Sequence, residues 1–288
     1  MQTNRLIILK HVLLVFGTLS ILSTEMFADT PDTTLTTSSY SFGIVPQQSA
    51  TKLARLWGPL LLYLEKETGH RFYFKTEKSI PLFEQRLAEG IYDFAYMNPY
   101  HYTVFHNNPG YEAFAKQAEK MIKGIIVVRK DSPIKSLEEL KAQKLAFPAP
   151  AAFAASVLTR AHFQNAGIPI IPQYVSSHDS VYRTVEKGIF IAGGGIQRTL
   201  KNMDPNGDRL KVLWETKPYT PHAFAAHPRI DTSIVLRVQS VLIEMQNNEA
   251  GNKILSGINF KGIAAANNND WNDVRALGIE LLNHLTSQ

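Results

Sequence analysis

Short apolar runs alternate with longer segments of helical periodicity along most of this chain. Residues 40–45 form an apolar stretch ending at Pro46, and after Ser49 the positions Leu53, Ala54, Trp57, Leu60, Leu61 and Leu64 recur at helical spacing before Gly69. That order predicts a strand, a loop and an amphipathic helix. Residues 71–74 predict the next strand, 80–88 a helix stopped by Gly90, and 93–97 a strand whose end carries Asn98-Pro99-Tyr100. A second block starts with a β-branched strand at 124–129, and Ser136 and Glu139 have capping-box spacing. Residues 145–147 predict a strand, 151–166 a helix with Gly167 at its end, 172–175 a strand, 179–187 a helix followed by Gly188, and 189–192 a strand. Strands at 210–214 and 222–226 and amphipathic helices at 234–246 and 271–285 complete the pattern. Such alternation predicts α/β units on mostly parallel sheets, with ligands at the carboxyl ends of the strands. Two blocks predict two lobes and a cleft between them, closing about a hinge.

The N-terminal pattern is different. Arg5 and Lys10 precede an apolar run at 12–22, and Met26-Phe27-Ala28 precedes Asp29. A basic segment, a short apolar core and a small residue at the cut predict a secretory signal peptide at 1–28. An uncleaved anchor is the alternative, because Met26 is large for its place. Residues 29–39, rich in Thr, Ser, Asp and Pro, predict a flexible leader. The expected division is then lobe 1 at 40–123, lobe 2 at 124–221, and a return to lobe 1 with C-terminal helices at 222–288. The folded part is expected in an exported, periplasmic compartment.

Composition narrows the classes further. With 288 residues, 44% of them hydrophobic and 19% charged, the chain buries enough apolar surface to fold unaided. It has no Cys, which excludes disulfides, thiolate zinc sites, cysteine nucleophiles and an N-terminal lipid anchor. Lys and Arg number 30 against 25 Asp and Glu, a formal charge of +5. These basic residues are scattered rather than massed, so a nucleic-acid partner is not expected. The excess permits a small anionic ligand without identifying one.

Catalytic chemistry is thinly represented. Ser156, His178 and Asp179 are the candidates for a hydrolase triad, yet no Gly-x-Ser-x-Gly elbow surrounds Ser156, and an acid adjacent to the histidine seldom orients it. His101 and His106 stand five apart, which is not a metal-ligand spacing. Gly193-Gly194-Gly195 lacks the rest of a phosphate-loop pattern and reads either as a tight strand exit with close backbone approach or as a ligand contact. The sequence predicts neither an enzyme nor a cofactor or metal site.

A binding protein fits the residues better. The run 40–50, then Trp57-Gly58-Pro59-Leu60 and Tyr63-Leu64, resembles the opening of the phosphate/phosphite/phosphonate substrate-binding proteins of ABC transporters. The resemblance continues in order through 93–99, Asp131-Ser132-Pro133-Ile134 with Leu137 and Leu140, Ser177-His178-Asp179-Ser180, and Val212-Leu213-Trp214. It implies a type II periplasmic binding fold, in which two α/β lobes close over an oxyanion held at the start of a second-lobe helix, here Ala151 to Ser156. Free N–H groups and the helix dipole make such an end attractive to anions without Lys or Arg. The implied ligand set is Gln47, Tyr96, Asn98, Tyr100, Phe153, Ala154, Ala155, Ser156, His178 and Asp179. Duller roles compete for several of these: packing for Tyr96, Tyr100 and Tyr102, a helix cap for Ser177 or Asp179, hinge packing for Tyr219 and His222, and a surface position for Arg198.

This chain departs from the resemblance at two places. The family's Ser-Thr-Ser run is replaced by Ala151-Ala152-Phe153-Ala154-Ala155-Ser156, and an acid associated with the amine of aminoalkylphosphonates is replaced by Ile191. The resemblance therefore implies a monomeric binding component that hands a phosphonate, phosphite or phosphate to an ABC permease. The alternatives are a ligand-binding subunit for a membrane sensor kinase, a binder of a non-phosphorus molecule, and an exported hydrolase.

Overall fold

In the computed structural model, which describes residues 38–286, Leu53, Trp57, Leu60, Leu61 and Leu64 fall on one buried face of a 19-residue helix. The expected signal peptide and nearly all of the expected leader lie outside the described residues. That helix, α1 (Ala50–Thr68), connects β1 (Ser39–Ile44) to β2 (Arg71–Lys75), and Gly69 ends it in the left-handed conformation. α2 (Ile80–Ala88), β3 (Phe94–Met97), α3 (Pro99–Phe105) and β4 (Glu112–Gln117) follow. The chain then enters a second sheet through β5 (Gly124–Arg129), β6 (Lys144–Phe147), a π-helical turn at Phe153–Leu158, α4 (Thr159–Asn165), β7 (Ile171–Tyr174), α5 (His178–Glu186), β8 (Ala192–Ile196), α6 (Gln197–Met203) and β9 (Leu210–Glu215). β10 (Ala223–Ala226), α7 (Thr232–Glu244), α8 (Glu249–Gly257), β11 (Ile263–Ala265) and α9 (Asn272–Arg275) return to the first sheet. Among the described residues no helix is long and apolar enough to cross a membrane.

The first sheet has the order β11-β4-β10-β3-β1-β2 and the second β7-β6-β8-β5-β9. Both are mixed rather than mostly parallel. β1 runs parallel to β2 and β3, and β6 runs parallel to β7 and β8. β10 and β5, by contrast, each pair antiparallel with both neighbours. The reason is the double crossing: a strand entering a sheet from the other lobe arrives from the opposite side to one delivered by a local helix. The two crossing segments are tied to each other where Ile122 and Tyr219 exchange backbone hydrogen bonds of 2.7 and 2.9 Å.

Three expected elements change. The helix expected at 151–166 begins as a wide turn, because Ser156 and Val157 both donate to Ala152 O. The strand expected at 189–192 lies three residues later, and Gly193, Gly194 and Gly195 are inside it rather than at its exit. The C-terminal helix expected at 271–285 stops after Arg275, where Gly278 adopts a φ of 58° and the chain turns away. Phe42, Trp57, Phe94, Tyr96 and Phe224 pack ring against ring in the first-lobe core, Trp57 and Tyr96 with centroids 4.6 Å apart. Phe153, Ala154, Leu158 and Ile196 of the second sheet's elements join this same apolar cluster, so the lobes share apolar packing where they meet.

Candidate functional site

The start of the π-helical turn is held close to the second sheet by two glycines on neighbouring strands. A Cβ on Gly124 would stand 2.0 Å from Ala154 O, and one on Gly194 would stand 2.0 Å from Ala155 O. With no side chain in the way, the helix start sinks onto β5 and β8, and its first N–H groups, which no intrahelical carbonyl satisfies, are presented at the lobe boundary. Opposite it lie the loop after β1 and the end of β3. Asn98 caps α3 by accepting from His101 N–H at 2.7 Å, and its amide donates across the boundary to Ala151 O at 3.3 Å. His178 opens α5, which Ser177 rather than Asp179 caps, and the His178 N–H donates to Gln47 O at 3.0 Å. Gln47, Asn98, Phe153, Ala154, Ala155 and His178 converge on one small cavity of about 10 Å³, which His222 and Ile196 also line.

Gln47 organises the polar side of this site. Its Oε1 accepts from the Arg198 guanidinium, so its amide nitrogen is the group that faces His222 Nε2 at 2.7 Å. The amide must donate there, which makes His222 Nε2 the acceptor and places the ring proton on Nδ1. His222 in turn stacks on Tyr96, with centroids 5.0 Å apart and planes 14° from parallel. Arg198 lies over the Tyr96 ring at 5.6 Å and the Phe260 ring at 5.9 Å, and has no carboxylate partner among the described residues. Burial, reinforced by the Arg198 charge, pushes the His178 imidazole down to about 3. The same two causes, in the same order, hold His222 well below its ordinary range. Both rings are neutral at neutral pH, and Arg198 is the fixed positive charge of the site.

The other expected site residues lie elsewhere. Tyr96 lines an adjoining cavity of about 180 Å³ rather than the small one, with Arg198 and His222. Tyr100 does not line either: its hydroxyl accepts from Leu282 N–H in the first lobe. Ser156 Oγ, His178 Nδ1 and Asp179 Oδ1 are buried with no hydrogen-bond partner, so no triad joins them. Ser156 and Asp179 are buried and do not line the small cavity. Ile191 is not at the ligand position expected from the resemblance. It is 41% exposed on an outer groove with Arg129 and Asp131, because it precedes β8 whereas the cleft lies at that strand's carboxyl end. The residue that the end of β8 delivers to the cleft is Arg198, for which a surface position was the default expectation. Its sequence signal was its place just after Gly193-Gly194-Gly195, a run that reads as a strand exit, at the end where α/β sheets bind ligands.

The match to a protein-family model, described as the ABC transporter, phosphonate, periplasmic substrate-binding protein, spans residues 42–271. A search of curated proteins found no match. Among solved structures, a binding protein component of an ABC phosphonate transporter from Pseudomonas aeruginosa aligns with a TM-score of 0.76 and 16% identity, over 84% of this chain and 86% of that one. PhnD1 from Prochlorococcus marinus in complex with methylphosphonate aligns with the same score and identity, over 84% of this chain and 97% of that one. A Xanthomonas citri protein bound to ATP aligns with a TM-score of 0.64 and 15% identity, over 86% and 98% of the two chains. At such identities the structural likeness shows a shared type II periplasmic binding fold, and the ligands belong to those proteins. The family is one of substrate-binding proteins rather than enzymes, and the family model covers most of the chain: this protein belongs to the periplasmic phosphonate substrate-binding proteins of ABC transporters.

Proposed function

We propose that this protein is exported by its N-terminal signal peptide and captures a small phosphorus oxyanion, of the phosphonate, phosphite or phosphate class, between its lobes for delivery to an ABC permease. The observation that carries this reading is the convergence of an unsatisfied helix start at Phe153–Ala155 with Gln47, Asn98 and His178 from other elements on one interlobe cavity. Backbone N–H groups at a helix start bind anions without a cationic side chain. The missing Ser-Thr-Ser hydroxyls are then compensated from the opposite side by the Asn98 and Gln47 amides. The methylphosphonate complex of the Prochlorococcus neighbour is in keeping with this ligand class. A space of about 10 Å³ holds no more than a water-sized sphere. Ligand entry therefore requires the lobes to separate, which breaks the Asn98–Ala151 and His178–Gln47 hydrogen bonds, and closure remakes the contacts around the anion.

The test is thermal denaturation with methylphosphonate, phosphite and phosphate. A ligand at 100 times its dissociation constant should add about 2.7 kcal/mol. In the His178→Ala variant the unliganded melt should stay within a few degrees of the parent, while the ligand-induced rise shrinks by more than half. An unchanged melt with all three anions overturns the ligand class. An undiminished rise in His178→Ala removes that residue from the site.

A further inference from the structure

The 180 Å³ cavity beside the small site shares Ile122, Ile196 and His222 with it. Its polar groups are unlike those of an amine pocket. Arg198, Lys120 and Lys123 line it, and the one carboxylate present, Glu215, is engaged with Lys123 at 2.5 Å. Arg198 and Lys120 thus stand without an acidic partner among the described residues. Ile122, Ile196 and Pro221 give this cavity apolar lining beside the cations. Two cations lining one cavity, an oxyanion site adjoining it and apolar side chains in its lining match a molecule with two acidic groups joined by a short hydrocarbon spacer.

We infer that the protein selects phosphonates whose organic substituent carries a second anionic group, with the phosphonate at Phe153–Ala155 and the distal acid at Arg198 and Lys120. This rests on the oxyanion reading above and adds the identity of the substituent. Arg198 is the specificity-determining residue: its planar fork pairs bidentately with a carboxylate once Gln47 is released or shared, and its charge repels an ammonium group at the same position. Lys120, exposed at the rim, contributes through charge alone. Neutral His222 between the two subsites adds no charge to either.

Isothermal titration of the full protein with 3-phosphonopropionate, methylphosphonate and 2-aminoethylphosphonate tests the assignment. The expected order of affinity is phosphonopropionate first, by tenfold or more over methylphosphonate, with aminoethylphosphonate weakest. Lys120→Glu should weaken phosphonopropionate by about fivefold and leave methylphosphonate within twofold. Arg198→Met should reduce the preference for the diacid to near unity. Equal affinity for the diacid and methylphosphonate, or tighter binding of the amine, overturns the inference and leaves the oxyanion reading standing. Absence of binding by all three overturns both.

Discussion

Replacing Gly194 by Ala is expected to destabilise the protein by about 3 kcal/mol, at the upper end of what overpacking a close contact costs. The added Cβ would stand 2.0 Å from Ala155 O and 2.6 Å from the Phe147 ring, and neither neighbour is the free end of a flexible side chain. One is helix backbone and the other a fully buried ring. The helix start must lift off β8, and the N–H groups it presents to the cleft move with it, so ligand affinity should fall together with stability. Gly124→Ala, which meets Ala154 O from β5, should reproduce both effects. Gly257→Ala is the contrasting case: it ends α8 in the open, nothing lies within 4 Å of its added Cβ, and it should stabilise by about 0.5 kcal/mol through the unfolded chain. Urea titrations of the three variants decide it. A Gly194→Ala midpoint equal to that of the parent would mean that the helix start is not seated on the sheet as described.

The same glycines mark the limit of what the sequence discloses. α1 was legible because every buried position on it is large and apolar, and β5 because Ile125, Ile126, Val127 and Val128 suit a strand covered on both faces. β8 was misplaced because three consecutive glycines are poor strand formers, and only tertiary contact explains them. What holds them in the strand is pairing with β5 and β6 and the helix backbone, Val181 and Tyr182 pressing where side chains would stand. The helix-start half of the site was legible because it is contiguous. The Arg198–Gln47–His222 network was not, since its members are separated by 151 and 175 residues and meet only in the folded chain. Periodicity reports which face of an element is buried, and it says nothing about which loop another loop will touch.

Acid should release that network. His178 and His222 lie on the lobe boundary, both buried and both shifted downward, the first to about 3. An imidazole exposed by unfolding or opening titrates near 6.5. Above that pH both rings are neutral in every state, so their contribution to the closed form is fully present. As the pH falls from 6.5 toward 3, the exposed form takes up protons that the closed form refuses, and the closed form loses about 1.4 kcal/mol per unit through His178, with His222 acting in the same direction. At pH 5 the expected loss through His178 is about 2 kcal/mol, and His222 adds to it in the same direction. The geometry gives the cause for His222: its Nε2 accepts from the Gln47 amide while Arg198 holds the other end of that side chain, so a proton on Nε2 sets two donors against each other. Thermal melts between pH 8 and pH 5 should show this slope, and the paired variant His178→Gln with His222→Gln should flatten it. An anion beside these rings supplies the compensating charge, which raises their proton affinity in the closed form. With saturating methylphosphonate the slope should therefore be shallower, and binding near pH 6 should be accompanied by net proton uptake, measurable as a dependence of the binding enthalpy on the buffer's ionisation heat. A melt independent of pH over this range, or a slope untouched by the paired variant, would remove the two histidines from the control of closure.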